Sequence, residues 1–371
     1  MHLGTHALLE FFRARRRDDS LVLATVIATS GSTYRKPGAM MLIARDGAYE
    51  GMVSGGCLEG DLLHHAAGVF ESGRPAHVTY DMHADEELVW SLGLGCDGVI
   101  HLLLQRLDRE SEFAFLDRLD AWHGERRDLR LALVTQGAAD LETGSYGLVS
   151  NDISIGNQKL VDILSDLAEL PPSWRTRHFR LGESGETEVL AIHVPPRPRV
   201  LICGAGPDAV PVARALSGLD WEVWVADHRP AYARPDRFPS GCSVLQVRPE
   251  NLGAALDPAG LDAAVIMSHH LENDSRYLEQ LAPADLPYIG VLGPRTRRDR
   301  LLQMAACPGR TVFGPVGLDI GAELPAAIAL AVAAEIHAVL NERDGAPLTR
   351  RADQEKLEGA DRDRGLHERT A

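Results

Sequence analysis

The stretch Val200-Leu201-Ile202-Cys203-Gly204-Ala205-Gly206-Pro207-Asp208-Ala209 decides the fold of the second half of this 371-residue chain. It has the form G-x-G-x-x-A and joins a predicted strand to a predicted helix, which is the context that a Rossmann-type turn requires. Gly204 permits the tight turn, Gly206 lets a ligand approach the backbone, and Ala209 lets the helix pack closely on the sheet. The motif therefore predicts a ligand crevice at this turn.

Strands alternate with helices on the carboxyl side of the motif. The predicted strands are 199–203, 221–226, 263–267 and 288–292, and the predicted helices are 207–216, 273–281, 296–305 and 325–340. This alternation is typical of a doubly wound parallel sheet, in which the carboxyl ends of the strands border the crevice. The alanine-rich helix 325–340 is expected to be buried.

Three further residues are candidates for this crevice. Asp227 ends the second predicted strand, where a carboxylate accepts hydrogen bonds from a ribose diol. His269 and His270 follow the third strand and are suited to bind a ligand or relay protons. Asp208 argues against a dinucleotide, because a carboxylate at the helix start repels phosphate. NAD binding and a turn that only packs both stay open.

The chain is predicted to have two domains. Residues 1–193 form an N-terminal α/β domain, 194–198 a proline-rich linker, 199–340 the Rossmann-like domain, and 341–371 a charged tail that is expected to be disordered. The predicted helices of the first domain are 6–17, 58–70, 86–92 and 110–122, and its predicted strands are 21–28, 40–44, 99–104 and 129–135, with more near 178–194.

Two glycine–cysteine turns stand out in the first domain, Ser54-Gly55-Gly56-Cys57 and Gly93-Leu94-Gly95-Cys96-Asp97-Gly98. Cys57 precedes a predicted helix, and a helix N-terminus favours the thiolate. Neither cysteine belongs to a C-x-x-C pair, so a structural zinc site is not expected. Two interpretations remain: small residues in tight turns, or a shared site in which Cys57 and Cys96 bind a soft metal or sulfur-bearing ligand.

The loop from Gly31 to Gly38 carries Arg35 and Lys36 beside hydroxyl-bearing residues. Such a loop between glycines is suited to hold an anion. The alternative is a solvated loop without a ligand.

Composition excludes several classes of protein. Lysine and arginine number 38 against 53 acidic residues, a net charge of −15, so a nucleic-acid footprint is absent. No apolar run approaches the ~18 residues of a membrane span, and no signal peptide is recognisable. Five cysteines are expected to be reduced thiols in a cytoplasmic protein.

In combination these stretches resemble the XdhC/CoxI family of maturation factors for xanthine and carbon monoxide dehydrogenases. The similar segments are 24–38, 54–59, 93–98, 204–209, 227–230, 268–270, 290–295 and 315–323. The resemblance implies a chaperone rather than an enzyme. It would bind the molybdenum cofactor (molybdopterin) and insert it into a xanthine or CO dehydrogenase-type molybdoenzyme. A cysteine desulfurase partner and a homodimer stay open.

The resemblance also implies site residues. Cys57 and Cys96 are the expected cofactor-proximal thiols and metal ligands, and the cofactor phosphate is expected at Arg35 and Lys36. Its expected place is between the domains. Many members have a histidine where this chain has Pro207-Asp208, which leaves nucleotide binding and the client enzyme open.

Two other functions also remain open. One is an NAD-dependent oxidoreductase that uses Asp227 with His269 or His270. The other is a protein adaptor without a small ligand.

Overall fold

A computed structural model describes residues 4–82, 98–109, 113–138, 141–150, 153–167, 175–182 and 185–349. The chain forms two compact units, Met1–Arg197 and Pro198–Ala371. Among the described helices, none combines the length and the apolar composition that a bilayer crossing requires.

The first unit begins with an antiparallel sheet that is covered on both faces. Its elements are α1 (Thr5–Arg15), β1 (Ser20–Gly31), β2 (Met40–Ala44), β3 (Tyr49–Gly51), α2 (Glu59–Ser72), β4 (Ala76–Asp81) and β5 (Gly98–Asp108), with strand order β3-β2-β1-β5-β4. Val22 and Val26 of β1 pack toward α2, whereas Leu21 and Leu23 pack with α1. Both faces of β1 are buried, which explains its continuous apolar run.

A second antiparallel sheet completes the first unit. Its elements are α3 (Phe113–Gly124), β6 (Leu129–Gln136), β7 (Tyr146–Ser150), β8 (Ile153–Gly156), α4 (Gln158–Asp166), β9 (Thr176–Leu181) and β10 (Thr187–Val194), in the order β8-β7-β6-β10-β9. Leu131, Leu148 and Leu190 of this sheet share one core with Leu21 and Leu42 of the first. The two sheets of this unit therefore pack on each other.

The second unit is a parallel sheet with helices on both faces. Its elements are β11 (Arg199–Cys203), α5 (Ala209–Ser217), β12 (Glu222–Asp227), β13 (Ser243–Gln246), α6 (Leu252–Ala255), β14 (Ala263–Ile266), α7 (Leu271–Leu281), β15 (Tyr288–Val291), α8 (Arg295–Met304) and α9 (Pro325–Leu340), with strand order β13-β12-β11-β14-β15. Val200 and Ile202 pack with α5 and α9, and Leu201 and Cys203 pack with α7 and α8. The predicted doubly wound fold is confirmed.

Several details differ from the sequence predictions. Strand β1 extends to Gly31 because its last residues pair with β5 beyond a bulge at Val26. The sequence analysis missed β4, β7, β8, α4 and β13. Helix α9 is buried along one side only, and Leu330 is 61% exposed. The predicted helix 86–92 and the tail beyond residue 349 lie outside the described residues.

Candidate functional site

The Ser54–Cys57 turn of the first unit is organised around the hydroxyl of Ser54. This oxygen accepts hydrogen bonds from the amides of Gly56 and Leu58, both at 3.2 Å. It donates to Oε2 of Glu59 at 2.5 Å. The Ser54 side chain therefore satisfies two amides of the turn that leads into α2.

Glu59 holds the turn through hydrogen bonds and is only 2% exposed. Its Oε1 accepts from the amides of Val53 at 3.1 Å and Ser54 at 2.8 Å. Burial raises the pKa of this carboxyl, but the hydrogen bonds from Ser54 and the backbone prevail and lower the pKa overall. The carboxylate is thus charged at neutral pH. The sequence analysis did not single out Glu59, because five positions separate it from Ser54, whereas the capping box has a spacing of about three.

Cys57 ends the turn and packs against the core of the first sheet. Its side chain is partly exposed, and its Sγ donates to the Ser54 hydroxyl at 3.6 Å. Gly55 and Gly56 are exposed. Gly56 has φ +105°, and a Cβ there would meet nothing within 4 Å. The two glycines therefore leave the backbone next to Cys57 open to solvent.

The cationic loop, residues 31–38, borders this turn. A Cβ on Gly55 would lie 3.9 Å from Cγ of Tyr34, next to Arg35 and Lys36. Lys36 is exposed and its Nζ donates to Oγ1 of Thr33 at 3.4 Å. Burial lowers the pKa of Arg35, while Tyr34 and Glu59 act in the opposite direction. The structure therefore brings the loop cations and the Cys57 turn into one region of the first unit.

The second glycine–cysteine motif precedes β5 in the sequence, and only its last residue is described. Gly98, the first residue of β5, lies against the cationic loop, because a Cβ there would be 2.7 Å from the Ser32 carbonyl oxygen and from Cγ2 of Thr33. Gly95 and Cys96 lie outside the described residues, so their roles stay predictions. Within the described ranges, no group of three or more histidine, cysteine or acidic side chains suits a metal ion. The metal-ligand role of Cys57 also stays a prediction.

In the second unit, the Rossmann turn has the geometry that its sequence predicts. Gly204 has φ +111°, and a Cβ there would lie 2.7 Å from the backbone nitrogen of Ser268. The turn after β11 therefore touches the loop after β14. Only glycine fits this close approach.

Asp227 makes its hydrogen bonds inside the chain. It is 1% exposed, and its Oδ2 accepts from the Ala205 amide and from Nη2 of Arg229, at 2.8 and 2.7 Å. Its Oδ1 accepts from the Arg229 amide and Nε, both at 2.9 Å. Burial raises its pKa, but these bonds lower the pKa overall. The described contacts are those of a structural brace, and a ribose contact stays a prediction.

The two adjacent histidines have separate contacts. Nε2 of His269 donates to Oδ2 of Asp208 at 2.6 Å, and His269 has a positive φ of 61°. Nδ1 of His270 accepts from the Asn273 amide at 3.4 Å and caps α7. The sequence analysis missed Asp274, which lies beneath this loop and is fully buried.

Comparison with known proteins identifies the family of this chain. The XdhC and CoxI family profile matches residues 14–81, and the XdhC Rossmann domain profile matches residues 200–336. A protein of Bacillus subtilis (strain 168) named as a probable xanthine dehydrogenase subunit is 32% identical over 335 residues, which cover 90% of this chain and 96% of that protein. This chain belongs to the XdhC and CoxI family.

A solved structure and a second sequence relative are also similar to this chain. A crystal structure described as a xanthine dehydrogenase from Bacillus halodurans has a TM-score of 0.76 and 29% identity, and the match covers 93% of this chain and 97% of that one. The molybdenum cofactor insertion chaperone PaoD of Escherichia coli (strain K12) is 36% identical over 101 residues, 27% of this chain and 30% of that protein. The predicted family is confirmed.

Proposed function

We propose that this chain binds the molybdenum cofactor as cargo and delivers it to a xanthine or carbon monoxide dehydrogenase-type molybdoenzyme. The observation that carries the proposal is the partly exposed Cys57, which follows two exposed glycines and lies beside the cationic loop. The relative PaoD, named a cofactor insertion chaperone, supports the same function.

The residues present suit each end of such a cargo. Thiolate sulfur is a ligand for soft metals and suits the sulfur–metal end. The loop cations Arg35 and Lys36 suit a phosphate, which charge-assisted hydrogen bonds hold well. The open backbone at Gly55 and Gly56 leaves space for a planar ring. In this proposal the chain binds, orients and shields the cargo, and Cys96 supplies the second thiol.

The proposal includes partners. The client molybdoenzyme receives the cargo, and a cysteine desulfurase and a second copy of the chain are additional proposed partners. The handover is proposed to take place in the cytoplasm, where thiols stay reduced. Co-purification with the client and light scattering of the purified protein test these parts separately.

The decisive experiment measures cargo on protein purified without air from cells that make the cofactor. Molybdenum is counted by elemental mass spectrometry and oxidised pterin by fluorescence, both per chain. We expect both near one to one in the natural protein and both lost in Cys57→Ser. Cys242→Ser is the matched control, because Cys242 is also partly exposed, lies in the second unit, and has its Sγ 3.4 Å from the Ser217 hydroxyl.

Two results would contradict the proposal. The first is full cargo and full client activation with Cys57→Ser, which removes the thiol from the mechanism. The second is client activation by a natural protein that carries no cargo and binds none when it is added, which favours an adaptor without a small ligand.

A further inference from the structure

A carboxylate occupies the space above the second glycine of the Rossmann turn. In a dinucleotide-binding turn, this glycine lacks a side chain so that the pyrophosphate can approach the backbone. Here a Cβ on Gly206 would lie 2.6 Å from Oδ1 of Asp208. Asp208 is the N-cap residue of α5, yet its side chain makes no capping hydrogen bond to that helix. The carboxylate is directed over Gly206 instead.

His269 holds this carboxylate in place. Its Nε2 donates to Oδ2 of Asp208 at 2.6 Å, so one oxygen is bound while the other covers Gly206. The His269 ring is 60% exposed and Asp208 is 24% exposed. The pair therefore lies at the opening of the crevice and not in the core.

The loop that carries His269 is itself rigidly braced. The amide and hydroxyl of Ser268 both donate to Oδ1 of Asp274, at 3.1 and 2.5 Å. Arg297 donates to the other oxygen of Asp274 at 2.6 Å. This network holds His269 in its left-handed backbone conformation, a strained state that persists only where the surroundings determine it.

The residue that would bind the ribose of a dinucleotide is also occupied by contacts within the chain. A ribose diol is bound by an acidic residue at the end of the second strand, which here is Asp227. Both of its oxygens accept hydrogen bonds from Arg229. Pro207 also removes one amide donor from the turn.

We propose that Asp208, held by His269, determines the ligand specificity of this crevice. Its carboxylate excludes the pyrophosphate of a dinucleotide from the backbone at Gly206. A fixed carboxylate repels a phosphate at close range, and the repulsion is strong near a partly desolvated surface. Removing this carboxylate opens the turn to pyrophosphate-bearing ligands. This role belongs to the Rossmann crevice alone and does not depend on the proposed cargo.

The test measures binding of two probes, inorganic pyrophosphate by calorimetry and NADH by its fluorescence, at pH 7.5. We expect Asp208→Ala and Asp208→Asn to bind pyrophosphate at least about tenfold more tightly than the natural protein. The gain for NADH is expected to be no larger, because Arg229 still engages Asp227. Asp236→Ala is the matched control, since it removes another carboxylate, the exposed partner of Arg234, and is expected to change neither affinity.

His269→Ala provides a second variant that keeps the charge. It releases the carboxylate from its fixed position, so we expect a gain in pyrophosphate affinity that is smaller than for Asp208→Ala but above twofold. Circular dichroism verifies the fold of each variant.

The proposal is overturned if the folded Asp208 variants bind pyrophosphate no better than the natural protein. It is also overturned if the natural protein binds NADH at micromolar concentration and loses this binding with Asp208→Ala. If the Asp208 variants do not fold, an unchanged affinity in His269→Ala overturns it.

Discussion

At the residue scale, Gly98 allows strand β5 to contact the cationic loop of the first unit. Its missing side chain leaves the space that Ser30, Ser32 and Thr33 fill, with oxygen and carbon atoms 2.7–2.8 Å from the place of a Cβ. Two of these atoms are backbone oxygens, which do not move without shifting the strand end. The close contact between β5 and the cationic loop therefore depends on glycine at this position.

We expect Gly98→Ala to lower the free energy of unfolding by about 1–3 kcal/mol, because the new methyl group forces the loop and the strand apart. Urea denaturation followed by circular dichroism measures this change. Gly60→Ala is the control: it lies in α2 with nothing within 4 Å of its Cβ position. There alanine is expected to add up to ~1 kcal/mol through helix propensity. Equal urea midpoints for Gly98→Ala and the natural protein would show that the loop yields freely.

His123 is a buried base. It is 5% exposed, and neither ring nitrogen has a hydrogen-bond partner in the described part of the chain. Its ring centroid is 5.8 Å from that of His6. Burial, followed by the charges of His6 and Arg197, lowers its pKa from 6.5 to about 4. The folded protein therefore holds His123 neutral where the unfolded chain protonates it.

This difference predicts a loss of stability in acid. Above about pH 6.5 the ring is neutral in both the folded and the unfolded state, so it does not affect stability. As the pH falls from there toward 4, the free energy of unfolding decreases, because only the unfolded state binds the extra proton. The full loss is about 3 kcal/mol. Urea midpoints between pH 4 and 8 measure it. His123→Phe, which cannot titrate, is expected to flatten this part of the profile, and identical slopes for the two proteins would rule out His123 as the cause.

At the scale of elements, Asp274 connects three parts of the second unit. It lies on α7 and is fully buried. It binds Ser268 in the loop after β14 and Arg297 on α8, the latter at 2.6 Å. A buried carboxylate with this many partners is expected to fix the relative position of the loop and the two helices.

We expect Asp274→Asn to lower the free energy of unfolding by about 3 kcal/mol, because Arg297 loses the charge of its buried partner. Thermal and urea denaturation measure the change. Glu272→Gln, on the same helix, removes an exposed carboxylate that pairs with Arg276 at 2.9 Å and is expected to change stability by at most ~0.5 kcal/mol. Comparable losses in both variants would contradict the role of burial.

The elements also show where sequence reasoning succeeds. Strands β2 and β11 have the predicted bounds, since continuous apolar runs end at turn residues there. Strand β4 was missed although Val78 and Tyr80 alternate with exposed residues, because six residues are a short pattern. The last residues of β1, Thr29 to Gly31, are polar or small, and only their pairing with β5 makes them a strand.

At the scale of the whole molecule, each unit has its own hydrophobic cores. The two cores of the second unit draw on residues between Val200 and Ile336, and those of the first unit on residues between Leu8 and Val194. A unit with its own core has the main requirement for folding alone.

We therefore expect a fragment of residues 198–349 to fold by itself. It should show α/β circular dichroism and one cooperative thermal transition. The fragment with Ile202→Asp is the control, because a charge at the fully buried Ile202 of β11 should abolish that transition. A natural fragment that unfolds without cooperativity would show that the second unit needs the first.

The sequence by itself determined the family, the Rossmann turn and the alternation of the second unit, because local patterns of glycine and apolar spacing encode these features. It also singled out Cys57, Arg35 and Lys36 as candidate site residues, and their binding roles stay predictions. Only the tertiary structure decided what the polar side chains do. Glu59 and Asp274 are buried supports, Asp227 is engaged by Arg229, and Asp208 is held by His269 across 61 positions of sequence. The Asp208–His269 pairing depends on which strand ends become neighbours in the sheet, and no local pattern records that. The Asp227–Arg229 and Glu59–Ser54 contacts join residues near in sequence, and the fold of each turn decides them.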